Sequence, residues 1–186
     1  MVTPRDTPKK NAEHPQASVL HPVEWSDTEL LKLCELRKTR RSGPGGQHRN
    51  KVETAIVLTY LPAQIRVEAS ERRSSGENQA VALKRMRLRL AVRLRTPIDP
   101  ASPSSLWNSR CRDRKISVSP AHADFPRLLA EAFNHLAEAD WNPTPAAERL
   151  NCSSSQLLKL IQQEPEAWSF LMEERRGRGL KDLKSS

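Results

Sequence analysis

The stretch that decides the fold is residues 54–69, which read Thr-Ala-Ile-Val-Leu-Thr-Tyr-Leu-Pro-Ala-Gln-Ile-Arg-Val-Glu-Ala. Residues 54–60 are rich in β-branched and aliphatic side chains, and residues 65–69 alternate between apolar and charged ones, so both segments are predicted to be strands. The Pro-containing residues 61–64 between them are predicted to form a hairpin turn. An antiparallel pair of strands is therefore the expected centre of a sheet.

Helical patterns flank this pair of strands. Ser26, with Glu29 three residues later, forms a capping box ahead of an apolar run, which predicts a short helix that leads into a further strand at 34–39. Apolar residues recur at helical spacing over 77–95 and leave a face of Lys and Arg, which predicts a long helix. The first half of the chain is therefore predicted to be α+β, a small sheet packed against a long helix.

The second half of the sequence is predicted to be a small all-α unit. Its helices are expected at about 124–139, 144–150, 153–163 and 165–175. The second and third, with a turn between them, resemble a helix-turn-helix that would present Gln156, Lys159 and Gln163 to a groove. A plain helical packing unit is the alternative, and it is favoured because residues 119–174 carry a net charge of −6, the wrong sign for binding a duplex.

Charge is unevenly distributed along the chain. The 186 residues hold 31 Lys or Arg and 22 Asp or Glu, a net charge of +9. Residues 37–118 alone hold 19 basic and 6 acidic side chains, a net charge of +13. A segment this basic makes a polyanion the default partner, with nucleic acid ahead of a membrane surface.

These changes in composition predict five segments. The expected boundaries are 1–23 for a disordered N-terminal segment, 24–96 for the α+β domain, 97–119 for a basic linker rich in Pro and Ser, 120–174 for an acidic helical domain and 175–186 for a short basic tail.

Several classes of protein are excluded by what the sequence lacks. No apolar run approaches the roughly 18 residues of a membrane helix, and the N-terminus lacks the apolar stretch of a secretory signal. Cys34, Cys111 and Cys152 form no CxxC pair, and no histidine stands at a ligand spacing from another histidine or a cysteine. We therefore expect a cytoplasmic, soluble monomer with no membrane contact, no metal and no cofactor.

Half of the glycines in the chain lie at one point. Gly43, Gly45 and Gly46 are three of only six, and they stand in the run 41–48, Arg-Ser-Gly-Pro-Gly-Gly-Gln-His. Glycine permits a close approach of the backbone that a side chain would block. The run matches neither GxGxxG nor the P-loop pattern, so from composition alone a tight surface loop is the simpler interpretation.

The longer string at 40–55, Arg-Arg-Ser-Gly-Pro-Gly-Gly-Gln-His-Arg-Asn-Lys-Val-Glu-Thr-Ala, closely resembles the catalytic signature of class I peptide-chain release factors. That signature centres on Gly-Gly-Gln followed by His, Asn and a Thr/Ser-Ala element. The likeness continues through Leu61-Pro62, Ile65 and the acidic-Arg-Ser, Asn and Ala-Leu pattern within 71–83. It covers residues about 25–95.

The resemblance implies a ribosome-dependent hydrolase that cleaves the ester between a nascent peptide and the terminal adenosine of tRNA. Gly45 and Gly46 would let the backbone thread a narrow RNA site without a side-chain clash. Gln47 would offer its backbone N–H to the transition-state oxygen or leaving group, and its side chain would shape the water pocket. Gln47 is also a candidate for N5-methylation. A protruding loop that carries Gly-Gly-Gln is therefore expected on the sheet.

The resemblance also implies the partners, which are peptidyl-tRNA and large-subunit rRNA at the peptidyl-transferase centre. Basic and polar side chains around the glycines would hold the loop against rRNA, through phosphates where they are charged. These residues are Arg40, Arg41, His48, Arg49, Asn50 and Lys51.

The sequence departs from the family pattern at two places. Arg49 stands where the family usually has an apolar residue, and Ala63-Gln64 stands where it has Thr-Gly, which leaves the geometry of the hairpin open. Neither departure touches Gly-Gly-Gln.

Only about 25 residues precede the block at about 25–95 that resembles the family, whereas decoding release factors are about twice as long and carry a separate codon-recognition domain. A codon-independent role in the rescue of stalled ribosomes is therefore expected. Two rescue types remain open: the bacterial one, whose basic tail enters the empty mRNA channel, and the mitochondrial one, which acts on a separated large subunit. A non-catalytic RNA-binding regulator that retains the fold is an alternative from another class, against which the intact Gly-Gly-Gln argues.

Overall fold

The computed structural model describes residues 20–39, 54–99 and 102–184, which form an α+β fold, as the sequence predicts. They contain a three-stranded antiparallel sheet, a two-stranded hairpin and seven α-helices. None of the helices in these residues is long and apolar enough to cross a membrane.

The three-stranded sheet is built from the predicted strands. Its strands are β1 (Cys34–Thr39), β2 (Ala55–Tyr60) and β3 (Ile65–Ala69), in that order, with β2 in the centre. The pairing is antiparallel on both sides of β2, with Cys34 opposite Tyr60 and Tyr60 opposite Ile65. Ile56 and Leu58 are completely buried, because the long helix that follows β3 covers this face of the sheet.

The turn between β2 and β3 confirms the predicted hairpin. A short 3-10 turn at Leu61–Ala63 is followed by Gln64 in the left-handed region, at φ 53°. This is the position at which glycine was expected from the family pattern. Gln64 adopts the conformation without being glycine, and its side-chain amide donates to the carbonyl oxygen of Leu61 at 2.9 Å.

The helices around the sheet begin at capping residues. In α1 (Asp27–Lys32) the Ser26 hydroxyl accepts from the Glu29 amide, and the Glu29 carboxylate accepts from the Ser26 amide, as the capping box predicts. The long helix α2 (Ser75–Arg93) begins two residues before the predicted start, because the Ser74 hydroxyl accepts from the Glu77 amide at 3.2 Å.

Residues 97–119, for which the sequence predicts a linker, contain regular structure. They hold α3 (Ser105–Arg110) and a hairpin of β4 (Cys111–Arg112) with β5 (Lys115–Ile116). Trp107 of α3 is completely buried, and its indole N–H donates to the carbonyl oxygen of Leu150 at 2.7 Å. A single tryptophan among prolines and serines has no periodicity, so only its tertiary contacts reveal that it belongs to the core.

The remaining helices match the predicted number. They are α4 (Phe125–Glu138), α5 (Pro143–Arg149), α6 (Ser154–Gln162) and α7 (Pro165–Gly177). The side chain of Asn142 caps α5 and that of Ser153 caps α6, whereas the Asp124 carboxylate before α4 accepts from Arg110 at 2.6 Å. That α5 and α6 work as a helix-turn-helix stays a prediction.

The helical unit α4–α7 packs directly on α2. Arg89 pairs with Glu166 at 2.9 Å, and Arg93 lies 3.5 Å from Glu166 and 3.9 Å from Glu173. The Arg93 guanidinium also lies over the Phe170 ring, 4.7 Å from its centroid. Part of the negative charge of residues 119–174 therefore neutralises the basic face of α2 within the molecule.

The basic C-terminal segment folds back on the end of α7. Arg175 is 8% exposed and donates to the carbonyl oxygens of Trp141 at 2.6 Å and Lys181 at 2.8 Å. Arg176 pairs with Asp182 at 2.7 Å, and Leu183 packs against the core. Much of the positive charge that was predicted for a tail is thus used in internal contacts.

We expect the free energy of unfolding to decrease as the pH falls from about 6.5 towards about 4. Burial lowers the pKa of His21 and of His135 to about 4, so the unfolded chain, with its histidines near pH 6.5, takes up these protons first. Each histidine contributes a loss on the order of 2 kcal/mol between pH 7 and pH 5. Glu131, whose pKa is raised by burial, acts in the opposite direction.

Urea unfolding of the wild type and of His135→Gln at pH 7 and pH 5 measures this effect. The pH-dependent loss should be roughly halved in His135→Gln and unchanged in the control His122→Gln, which alters an exposed histidine. An equal loss in all three proteins would contradict the assignment to His135.

Candidate functional site

The residues predicted to carry the chemistry lie outside the described residues. These are the catalytic Gly45, Gly46 and Gln47 and the rRNA-binding Arg40, Arg41, His48, Arg49, Asn50 and Lys51. The structure describes the frame on either side of them, which consists of the ends of β1 and β2 and the residues that hold them.

Both ends of the segment 40–53 are attached to the same end of the sheet. Thr39 is the last residue of β1, Ala55 is the first residue of β2, and the two are directly paired. Because the strands are antiparallel, the chain leaves the sheet and returns to it at neighbouring positions. Ala55 is 1% exposed and Ile56 is completely buried, so the returning end is anchored in the core.

Asn78 of α2 holds this returning end in place. Its side-chain amide donates to the carbonyl oxygen of Thr54 at 2.7 Å and to that of Arg72 at 3.1 Å. Its side-chain oxygen accepts from the Arg72 amide at 2.9 Å. Asn78 is completely buried, so these three bonds replace those that water would make. One side chain therefore joins α2, the β3–α2 connection and the start of β2.

The β3–α2 connection is held by a second set of polar contacts. Arg85 of α2 donates to the Glu71 carboxylate and to the carbonyl oxygen of Glu68. Glu71 also accepts from the Ser70 amide at 2.8 Å. The pKa of Glu71 lies below its usual value, first because its carboxylate accepts a backbone hydrogen bond from its own amide and then because of Arg85. These contacts hold the chain that leads to Arg72, which shares its partner Asn78 with Thr54.

Basic side chains surround this end of the sheet. Lys38, Arg72 and Arg73 are all exposed, and among the described residues none of the three forms an ion pair. Lys38 comes one residue before the end of β1, and Arg72 is bonded to Asn78, which also holds Thr54. We call these three residues the basic rim. Exposed cations with no ion pair to another described residue suit the phosphates of a nucleic acid.

The sequence around this end of the sheet is similar to that of known proteins. A family model of the RF-1 domain matches residues 30–113. Peptide chain release factor 1 of Acidiphilium cryptum (strain JF-5) is 48% identical over 102 residues, which are 54% of this chain and 27% of that protein. Residues 30–113 of the chain belong to the class I peptide-chain release factor family.

Further relatives of the same family match shorter parts of the chain. Peptide chain release factor 1 of Gluconobacter oxydans (strain 621H) is 40% identical over 79 residues, 42% of this chain and 20% of that protein. Peptide chain release factor 2 of Neorickettsia sennetsu is 47% identical over 51 residues, 27% of this chain and 14% of that protein. The chain therefore spans about a quarter or less of the length of these release factors.

Sequence reasoning did not assign a role to Asn78. The residue was noticed only as one position in the family pattern, since a single asparagine in a helical run gives no sign that it is buried. Its position in α2, facing Thr54 and Arg72, is what identifies it as a positioning residue for the release-factor segment. The basic rim was not predicted either, because the RNA contacts expected from the sequence all lie at residues 40–51.

The described residues offer no metal centre. Within 20–39, 54–99 and 102–184, no group of three or more His, Cys, Asp and Glu side chains could hold a metal ion. The arrangement at this end of the sheet is a rigid frame with a positive rim, suited to presenting a short segment to an RNA-lined site.

Proposed function

We propose that this protein is a ribosome-dependent peptidyl-tRNA hydrolase that releases the nascent chain. The single observation that carries the proposal is the intact Gly-Gly-Gln string of a class I release factor within the RF-1 domain match. The frame supports it, because β1, β2 and Asn78 hold the two ends of that string at one end of the sheet.

In the proposed reaction a water molecule attacks the ester carbonyl that joins the peptide to the terminal ribose of tRNA. The bond to the ribose oxygen breaks, and this oxygen leaves with a proton. The backbone N–H of Gln47 would stabilise the charge that develops on oxygen, and its side-chain amide would orient the water. Gly45 and Gly46 would let the backbone come close enough for this hydrogen bond.

The partner that fits the basic rim is rRNA of the large subunit. Lys38, Arg72 and Arg73 extend the positive charge that Arg40, Arg41, Arg49 and Lys51 would supply closer to the substrate. Contacts of this kind weaken as the salt concentration rises, because the release of counterions from the RNA on binding is then less favourable. A protein with this partner would work in the cytoplasm, and we propose that it acts as a monomer.

We propose further that release does not depend on a codon. The family match ends at residue 113, and the helical unit α4–α7 that follows packs on the basic face of α2 through Glu166 and Glu173. This arrangement supports a compact rescue factor in which the helical unit α4–α7 packs on the domain that carries the Gly-Gly-Gln string. Rescue of stalled ribosomes is the role that such a factor would serve.

The contacts of the C-terminal segment favour a rescue mode that does not sense the empty mRNA channel. Arg175, Arg176 and Arg178 are bonded to Trp141, Asp182 and Glu174 within the protein. We expect Lys181→Ala/Lys184→Ala to release peptide at the wild-type rate, within about twofold, at every mRNA length. Release rates on complexes with mRNA ending at the P site or extending beyond it check this. A rate of peptide release that falls only on the shortest mRNA would show that the basic tail senses the empty mRNA channel, and it would contradict this mode.

One experiment tests the proposed function and its codon independence together. Peptide release is measured with purified protein on ribosomes with a stop codon, a sense codon or an empty mRNA channel at the A site, and on isolated large subunits. Similar release with stop and sense codons supports a codon-independent factor, whereas release only at stop codons would contradict it. Binding to ribosomes without release on any of the four substrates would instead support a non-catalytic RNA-binding regulator.

A further inference from the structure

The hairpin of β4 and β5 carries two like charges on one face. Arg112 and Lys115 are directly paired across the hairpin, so their side chains project from the same face of the two strands. Like charges in this position are destabilising. Both side chains are exposed, and neither forms an ion pair or hydrogen bond within the described residues.

The turn of this hairpin contains a second locally unfavourable feature, a non-glycine residue in a left-handed backbone conformation. Asp113 has φ 48° and Arg114 has φ 62°, so both central residues lie in the left-handed region, where Asp, Asn and Gly are common and arginine is not. An arginine there is strained. Locally unfavourable features in a native fold are expected at functional sites. Two of them, the pair of like charges and the left-handed arginine, occur here within four residues.

The hairpin is nevertheless held rigidly. The carbonyl oxygen of Arg114 accepts from the Ser153 amide at 3.3 Å, and its guanidinium donates to the carbonyl oxygen of Cys152 at 3.2 Å. At the base of the hairpin, Trp107 is buried against Leu150. The hairpin thus stands on the turn between α5 and α6, and β5 lies against α6.

The neighbouring helix α6 places a further cation and a hydroxyl near the hairpin and contributes no acidic side chain. The segment Ser154–Gln162 contains no acidic residue, and Ser155 and Lys159 are exposed one turn apart. We call Arg112, Arg114, Lys115, Ser155 and Lys159 the hairpin–helix surface. The net charge of −6 over residues 119–174 is carried outside α6, since none of the nine acidic residues of that segment lies in this helix, and two of them, Glu166 and Glu173, are paired with α2.

The chemistry of this surface fits a phosphate backbone better than a protein. Its exposed groups are four cations and a hydroxyl, with the carboxylate of Asp113 in the turn as the one acidic group of the hairpin, so the surface keeps a net positive charge. Large exposed apolar side chains occur in the described residues at Leu20, Leu33, Leu61 and Leu180, none of which belongs to the hairpin or to α6. Protein interfaces concentrate aromatic and apolar groups, whereas nucleic-acid interfaces are positively charged and polar.

We propose that the hairpin–helix surface is a second RNA-binding site, which contacts the sugar–phosphate backbone of duplex RNA. That this RNA is ribosomal rests on the proposed function. The binding itself does not, because a free RNA duplex is a sufficient ligand. An external phosphate between Arg112 and Lys115 would remove the repulsion that the isolated hairpin carries.

The test compares Arg112→Ala/Lys115→Ala with the matched control Lys181→Ala/Lys184→Ala, which removes the same charge from another exposed part of the chain. The dissociation constant for an RNA duplex of about 20 base pairs is measured from 50 to 300 mM KCl. The hairpin variant should bind about tenfold more weakly near 100 mM KCl, and the slope of log Kd against log salt should fall by about two. The control should change less than twofold. Equal affinities of the wild type and the hairpin variant, or an equal loss in the control, would overturn the proposal.

Arg112→Glu separates binding from folding. It replaces the like-charge pair by an ion pair with Lys115, so the melting temperature should stay the same or rise, while RNA affinity falls at least as far as in the double variant. A loss of affinity that follows a loss of folded protein would overturn the proposal. Weaker duplex binding in a protein that releases no peptide from ribosomes would leave this site in place and refute the proposed function alone.

Discussion

Gly46→Ala is expected to lower the rate of peptide release by at least about a hundredfold, the magnitude typical of losing one transition-state donor. The added methyl group would stand where the backbone must approach the ester, and it would displace the neighbouring Gln47 N–H from the developing oxyanion. Folding should not change, because the frame around Thr39, Ala55 and Asn78 is untouched. Single-turnover release with saturating protein is the measurement, so that weaker binding cannot imitate slower chemistry.

Gly76→Ala is the matched control for this variant. Gly76 lies in the first turn of α2, and a Cβ added there would meet no atom within 4 Å. It should release peptide at the wild-type rate, and its stability should be equal or slightly higher, since alanine favours a helix. Wild-type release by Gly46→Ala, or the same loss in both variants, would contradict the role assigned to the glycines.

Asn78→Ala should cause the largest loss of stability among single polar substitutions in the frame. It leaves the carbonyl oxygens of Thr54 and Arg72 and the amide of Arg72, all partly buried, without their partner. At about 1 kcal/mol for each such group, the lower end of the range for unsatisfied groups, the free energy of unfolding should fall by about 3 kcal/mol. Peptide release should fall as well, at temperatures where the variant is still folded, because the start of β2 is no longer held.

Asn108→Ala is the corresponding control, since Asn108 is exposed and its amide donates only to the carbonyl oxygen of Pro103 at 3.3 Å. Its unfolding free energy should change by less than about 0.5 kcal/mol. Denaturant unfolding of both variants checks the difference. If Asn78→Ala were as stable as Asn108→Ala, the hydrogen bonds at Thr54 would not hold the frame.

The features that the sequence predicted correctly are those that depend on neighbouring residues. The capping box of Ser26 and Glu29, the alternation in β3 and the apolar spacing of α2 are local patterns, and local patterns survive in the fold. The Gly-Gly-Gln string identified the family for a similar reason, because its information lies in consecutive residues.

The features that the sequence did not predict depend on distant contacts. Trp107 is a core residue because it meets Leu150, and Arg175 is buried because its guanidinium reaches the carbonyl oxygen of Trp141. The sequence shows that the helical unit is negatively charged. It does not show that two of its acidic side chains, Glu166 and Glu173, face Arg89 and Arg93 of α2. The position of Asn78 beside Thr54 is of the same kind.

The most direct measurement is the release of labelled peptide from purified ribosomes that carry peptidyl-tRNA and an empty A site, with this protein as the only added factor. The wild type should release the peptide in repeated turnovers, and Gly46→Ala should bind the same ribosomes but release peptide at least about a hundredfold more slowly. Ribosome binding by the wild type with no release above the rate without added factor would contradict a hydrolase.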